Sequence, residues 1–356
     1  MKILIITSIE KGGIGGPSLY ADKLPKALAD CGLHADVLRR RHLPKAFREL
    51  LYFFELLWMT PQYNILYSLS GSPGINIPAL ICAKFFRKKF CMRPGGDFLW
   101  ERAVEHGETE KTPRGYYKGG EHKKQKFSFS LFRGTLWHIN KIIFPTSYLR
   151  SLYQEYFFVP DEKCAYVDYP FPGTQGGLGS KRESRQFVFA GRLIKFKNGA
   201  RLIRAFAAIE NRAGATLKII GEGPEKAGLM RLAKELGAES YIFFEKSMDH
   251  ATLLNELSDS YCVVIPSIFE PGSFFMLECL KFKVPVIFTR ESGLYDAYAG
   301  TLLFVDPYSI ADIKNKIEWL FEGDNYNTYM RRIEGVNTQR CWGDVAREHK
   351  MIFEKL

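Results

Sequence analysis

The stretch Glu270-Pro271-Gly272-Ser273-Phe274-Phe275-Met276-Leu277-Glu278 sets two carboxylates around a helix start. The apolar run 261–265 reads as a buried strand, 266–271 as a loop, and 273–282 as a helix. Glu270 therefore falls at the strand's C-terminal rim, and Glu278 follows two helical turns later. A helix N-terminus offers free backbone N–H groups and a partial positive charge, which suits phosphate. An acid on each side of it can hold hydroxyls on either side of a diphosphate, which is the geometry a nucleotide sugar requires.

A second constellation, Gly191-Arg192-Leu193-Ile194-Lys195-Phe196-Lys197-Asn198-Gly199, follows the predicted strand 187–189. Arg192 and Lys197 lie in a loop off a strand end, where open α/β sheets bind ligands. Arg supplies a planar fork and Lys a mobile point charge, a pair suited to a pyrophosphate leaving group. Gly221-Glu222-Gly223-Pro224, after strand 216–220, reads as a tight turn on the same rim. In the first half, Gly12-Gly13-Ile14-Gly15-Gly16 lets backbone approach a ligand closely. It is no dinucleotide fingerprint, because the third glycine of G-x-G-x-x-G would fall on Ser18, and no P-loop, because G-K-[ST] is missing. Arg93-Pro94-Gly95-Gly96-Asp97 follows another strand; Asp97 can orient an acceptor hydroxyl or take its proton, and it can equally cap a helix.

Two alternating strand–helix series must position these residues. The first takes strand 2–7, a helix over 18–31, a strand near 35–38 and apolar runs at 65–69, 90–92 and 142–144. The second takes strands 187–189, 216–220, 242–244, 262–265 and 284–288, with helices over 200–209, 225–236, 251–257 and 274–282 between them. Alternation at this spacing predicts an α/β protein of two doubly wound, Rossmann-like domains facing a cleft. The Gly-rich stretch 171–180 is the linker, separating an acceptor-side domain over 1–175 from a donor-binding domain over 183–335. Residues 102–126 read as a charged insertion, a loop over the acceptor site or a plain surface excursion.

A chain of 356 residues with 46% hydrophobic and 25% charged residues has the composition of a folded globular protein of two domains. The seven cysteines are scattered and form no C-x-x-C pair, which excludes a zinc ribbon and points to a reducing cytoplasm. No apolar run is long enough to span a bilayer, and the start reads as a first strand rather than a signal peptide. The net charge of +11 is lopsided: residues 1–170 carry 25 Lys and Arg against 16 Asp and Glu, the remainder 25 against 23. Residues 39–60 join Arg39-Arg40-Arg41, His42 and Lys45 to Phe47, Leu50, Leu51, Phe53, Phe54, Leu57 and Trp58, which reads as an interfacial helix or as a core helix with a charged cap. An anionic membrane surface is the partner such a basic half would suit, ahead of nucleic acid, with plain solubility as the bland alternative.

Taken in order, the Gly-rich N-terminal turn, G-R-L-x-x-x-K, G-x-G-P and E-P-x-x-x-x-x-L-E resemble the retaining glycosyltransferases of GT-B architecture, group 1 or family 4, over nearly the whole chain. The resemblance implies roles. Glu270 would hold the donor sugar's hydroxyls and Glu278 the nucleotide ribose. Arg192 and Lys197 would neutralise the departing diphosphate, helped by the backbone of Ser273 and Phe274. Gly15 and Gly16 would approach the donor phosphate, with Gly221 and Gly272 completing the donor side. Asp97 would serve the acceptor, since Gly96 stands where many members carry His. The base would lie against the loop after strand 242–244, where Glu245 replaces the usual glycine. The last helix, within 340–356, would return to the first domain.

The activity so implied is transfer of a hexose or N-acetylhexosamine from a UDP- or GDP-sugar to a hydroxyl of a glycan or lipid-linked acceptor in cell-envelope polysaccharide synthesis. The enzyme would be cytoplasmic, peripheral on the inner face of the membrane, and without a required metal or cofactor, as no D-x-D triplet is present. Two rivals remain: a catalytically inactive nucleotide-sugar-binding partner subunit, and an NADP-dependent oxidoreductase resting on the Gly-rich turn and Arg39-Arg40-Arg41.

Overall fold

The computed structural model describes residues 1–7, 16–40, 44–171 and 185–356. They fall into two compact units: Met1–Ala103 with Pro113–Pro170 and Arg340–Leu356, and Val104–Thr112 with Phe171–Gln339. Gly15, Arg41 and most of the expected linker lie outside the described residues.

The first unit begins with β1 (Lys2–Thr7), α1 (Gly16–Asp30), β2 (His34–Arg39) and α2 (Lys45–Met59). It continues through β3 (Ile65–Ser68), α3 (Pro73–Phe85), β4 (Lys89–Met92) and α4 (Phe98–Glu105). Then follow α5 (Pro113–Lys118), α6 (Lys126–His138), β5 (Lys141–Phe144), α7 (Ser147–Phe157) and β6 (Cys164–Tyr166). The strands form one parallel sheet in the order β2-β1-β3-β4-β5-β6. From Ile3 onward β1 is buried throughout, as an interior strand covered on both faces must be. The crossover from β1 to β2 runs one way along the sheet and every later one runs the other way. Right-handed connections therefore put α1 on one face and α2, α3 and α6 on the other.

The second unit runs β7 (Gln186–Ala190), α8 (Gly199–Ala207), β8 (Thr216–Ile220), α9 (Lys226–Glu235), β9 (Ile242–Glu245), α10 (His250–Ser258) and β10 (Cys262–Ile265). It ends with α11 (Phe274–Lys281), β11 (Val286–Thr289), α12 (Tyr295–Tyr298), β12 (Leu303–Val305), α13 (Ile310–Trp319) and α14 (Asn325–Glu334). Its parallel sheet has the order β12-β11-β10-β7-β8-β9. β10 and β7 share its centre, with Val263 in register with Val188 on one side and Val286 on the other.

α15 (Trp342–Phe353) packs on α1 in the first unit. His349, fully buried, fixes the contact. Its Nδ1 lies 2.7 Å from the Val345 carbonyl, which can only accept, so Nδ1 carries the proton. Nε2 then accepts from the Tyr67 hydroxyl at 2.8 Å, with the Tyr20 hydroxyl at 3.3 Å. Arg93 lies beside this cluster, its guanidinium over the rings of Tyr20 and Tyr169 and donating to the Val167 carbonyl.

The charged insertion is partly helical rather than a bare loop. Its segment Val104–Thr112 belongs to the second unit, where Glu110 pairs with Arg201 at 3.0 Å and its carbonyl accepts from the Tyr308 hydroxyl.

Candidate functional site

The loops after β7, β8 and β10 meet at one edge of the second sheet. Gly221 and Gly223 let the first two meet. A Cβ on Gly221 would lie 1.9 Å from the Gly191 carbonyl oxygen, and one on Gly223 would lie 2.4 Å from that of Leu193. Their φ values of 151° and 155° also disfavour a side chain. The G-x-G turn is therefore the packing partner of the cationic loop.

That loop ends in Asn198, a residue that sequence motifs do not single out. It is buried in the left-handed conformation at φ 65°, which Asn tolerates better than most residues. Its side-chain amide donates to the carbonyls of Pro266 at 2.9 Å and Pro307 at 2.7 Å. One side chain thus ties together the loops that follow β7, β10 and β12, and with them the position of Lys197.

Glu270 is 4% exposed and held on every side. Lys197 Nζ lies 2.5 Å from its Oε1, and the Ser267 hydroxyl donates to the same oxygen at 2.6 Å. Its backbone bonds Glu291 and Gly293, in a one-residue parallel bridge with Ser292. Ser273 caps α11, its hydroxyl accepting from the Met276 N–H at 3.2 Å. The helix start predicted at 273 is therefore the cap itself, and Gly272 precedes it. Arg192 is exposed on the rim.

Glu278 is also 4% exposed, and its Oε1 lies 2.6 Å from Nε2 of His250, the first residue of α10. His250 is not among the residues expected from the sequence. One signal pointed to it: a His directly after Asp249, the cap of a post-strand helix at the same sheet edge. Each buried acid thus has a cationic or ionisable partner, as a carboxylate removed from water requires. Glu245, expected near a base, ends β9.

In the first unit, Gly16 opens α1. Asp97 is wholly buried and caps α4, accepting from the Trp100 N–H at 3.0 Å and from the Tyr117 hydroxyl at 2.9 Å through Oδ1. Oδ2 has no hydrogen-bond partner among the described residues, and burial pushes the carboxyl up to about 6. Of its two expected roles, the helix cap is the one on display. Arg39 pairs with Asp22 and Arg40 with Glu49, so these cations are engaged inside the unit rather than free for a 2′-phosphate. Among the described residues, no helix is long and apolar enough to cross a membrane.

Residues 174–335 match the family model of the glycosyl transferases group 1. An uncharacterized glycosyltransferase of Methanocaldococcus jannaschii is 31% identical over 181 residues, which are 50% of this chain and 46% of that protein. The N-acetyl-alpha-D-glucosaminyl L-malate synthase of Bacillus anthracis is 28% identical over 116 residues, 33% of this chain and 30% of that one. The chain thus spans less than half the length of these curated relatives. Among solved structures, Anabaena HepE in complex with UDP aligns with a TM-score of 0.74 at 13% identity, covering 100% of both chains. WaaG, a glycosyltransferase involved in lipopolysaccharide biosynthesis, aligns at 0.73 and 13% identity over 98% of this chain and 99% of that one. Likeness at that identity establishes the fold, which is GT-B, two α/β units each built on a six-stranded parallel sheet. Over residues 174–335, the chain is similar to the group 1 glycosyl transferases.

Proposed function

We propose that the protein transfers a hexose or N-acetylhexosamine from a UDP- or GDP-sugar to a hydroxyl of a glycan or lipid-linked acceptor, with retention of configuration. The observation that carries this reading is Glu270, a buried acid at a sheet rim beside the capped start of α11, with Lys197 on its carboxylate. Lys197 and Arg192 neutralise the departing diphosphate, and the backbone of Ser273 and Phe274 adds the helix terminus. Such preorganised charge is often the largest contribution to catalysis. Glu270 receives the sugar hydroxyls and Glu278 the ribose, with His250 holding Glu278 in place. The departing phosphate takes the acceptor's proton as attack comes from the same face, and no metal is required. Gly15 and Gly16 approach the donor phosphate. Asp97, buried as a cap, shapes the loop that meets the acceptor. The basic first unit favours an acceptor presented at an anionic membrane, as in envelope polysaccharide assembly.

A thermal-shift screen of nucleotide sugars tests the donor, since a ligand at about 100 times its Kd stabilises by about 2.7 kcal/mol. Transfer and donor hydrolysis both lost in Glu270→Gln, with nucleotide binding kept, supports the reading. Full activity in that variant overturns it. Tight NADPH binding without UDP or GDP binding would favour the oxidoreductase instead.

A further inference from the structure

We propose that the outer face of α2, α3 and α6 is a docking surface for an anionic lipid bilayer. The three helices lie on one side of the first sheet, α2 packing on α3 and α3 on α6. Each buries one face and leaves large apolar residues on the other. In α2, Tyr52 and Leu56 are buried while Leu50, Phe54 and Trp58, spaced at about a helical turn, point outward. Trp58 is 79% exposed, Phe85 on α3 is 74% exposed, and Phe127 at the start of α6 is 80% exposed. Single exposed apolar residues are ordinary. Bulky ones on three adjacent helices of one layer mark an interaction surface.

The charge around this face selects the occupant. Segments 44–63, 73–89 and 121–138, which hold the three helices and their flanks, carry ten Lys and Arg against three Glu. A recess in the same unit is lined by Arg114, Lys118 and Lys123, with Glu155 paired to Arg114. A second copy of the chain fits poorly, because a two-fold contact would set this positive face against itself. An anionic bilayer fits both features: aromatic rings enter the headgroup boundary, and each basic residue near the surface strengthens binding about fivefold. This surface would serve the membrane setting proposed above, yet it rests on neither donor nor acceptor, so its failure leaves the transfer reading standing.

The test is flotation of the full chain with vesicles of phosphatidylcholine alone and with one third phosphatidylglycerol. Binding is expected to the anionic vesicles only, and to fall at least about tenfold at high salt. The triple variant Trp58→Ser, Phe85→Ser, Phe127→Ser should lose at least about tenfold in binding with its melting temperature kept, because these side chains are exposed. Should it misfold, Lys84→Glu, Lys123→Glu, Lys124→Glu replaces it with the same expectation. Met230→Ser, exposed on α9 of the second unit, should bind like the parent. Equal binding to neutral vesicles, undiminished binding by both multiple variants, or a concentration-dependent dimer that these variants abolish would each overturn the proposal.

Discussion

Two buried groups of the first unit titrate in opposite senses, and separating them tests how the unit is held together. Burial lowers His349 from its ordinary 6.5 to about 3, with the Arg93 cation acting in the same direction. Its neutral ring is what the Tyr67–His349–Val345 chain requires. Unfolded chain takes up the proton that folded chain refuses, so stability is lost as pH falls below 6.5. From about pH 7 to pH 5 the loss is about 2 kcal/mol, at about 1.36 kcal/mol for each pH step over which the unfolded chain holds one proton more than the folded. Asp97 works the other way. Burial raises it from 3.8 to about 6, so stability is lost as pH rises from 3.8 through about 6, and part of that loss is relieved on acidification. Over the same interval the relief is about 1.3 kcal/mol. The parent protein should therefore lose only about 0.7 kcal/mol from the pair.

The variants uncouple the two effects. His349→Gln can still donate to the Val345 carbonyl and accept from Tyr67, yet has no charge to gain. Asp97→Asn can still cap α4 and accept from Tyr117. Four of the five tryptophans, Trp58, Trp100, Trp137 and Trp342, lie in the first unit, so tryptophan emission during urea unfolding reports mainly on it. On moving from about pH 7 to pH 5, Asp97→Asn should lose about 1.3 kcal/mol more than the parent and His349→Gln about 2 kcal/mol less. Other groups titrate alike in all three proteins and cancel in the differences. A His349→Gln protein that tracks the parent to within about 0.5 kcal/mol would refute the claim that a neutral buried His clamps α15.

Three further outcomes concern the second unit. Asn198→Ala removes two buried bonds from the loop junction and should cost about 2–3 kcal/mol in urea unfolding, with transfer reduced as Lys197 loses its support. Gly221→Ala, meeting the Gly191 carbonyl, should fold less stably than the parent in the same assay, whereas an alanine at the open Gly228 should be neutral or better. His250→Ala should weaken UDP binding about tenfold, or about 1.4 kcal/mol by calorimetry; unchanged affinity would sever His250 from the ribose-binding role proposed for Glu278.

How much of the fold and site was legible in the sequence depended on whether the signal was local. Strands 216–220 and 262–265 coincide with β8 and β10, because each is an apolar run closed by turn residues. β6 and β12 escaped, being three residues long and sheet edges, where burial writes no long apolar run. Glu270 and Glu278 could be singled out because Pro271, Gly272 and Ser273 announce a loop and a capped helix between them. Asn198 and His250 could not. Asn198 matters through carbonyls 68 and 109 positions away, and His250 through an acid 28 positions away. α2 was readable as amphipathic, but only the placement of α3 and α6 beside it made an exposed stripe into a surface.

The pairing of Lys197 with Glu270 bears on how the proposed site would work. A carboxylate 4% exposed is costly unless another group replaces the water it lost, and here Lys197 and Ser267 do so. A donor would bring both its own hydroxyls and a diphosphate. The hydroxyls can take over solvation of Glu270, which releases the Lys197 ammonium toward the phosphate on its flexible stem. Lys197 would then stabilise charge that grows as the sugar departs, after having held Glu270 in position before the donor arrived. Lys197→Ala removes both duties, whereas Glu270→Gln removes the need for the first. The double variant should accordingly recover stability lost by Lys197→Ala, by about 1–2 kcal/mol, without recovering transfer. Additive losses of stability in that cycle would mean that the two side chains act independently, and the exchange of partners would have to be abandoned.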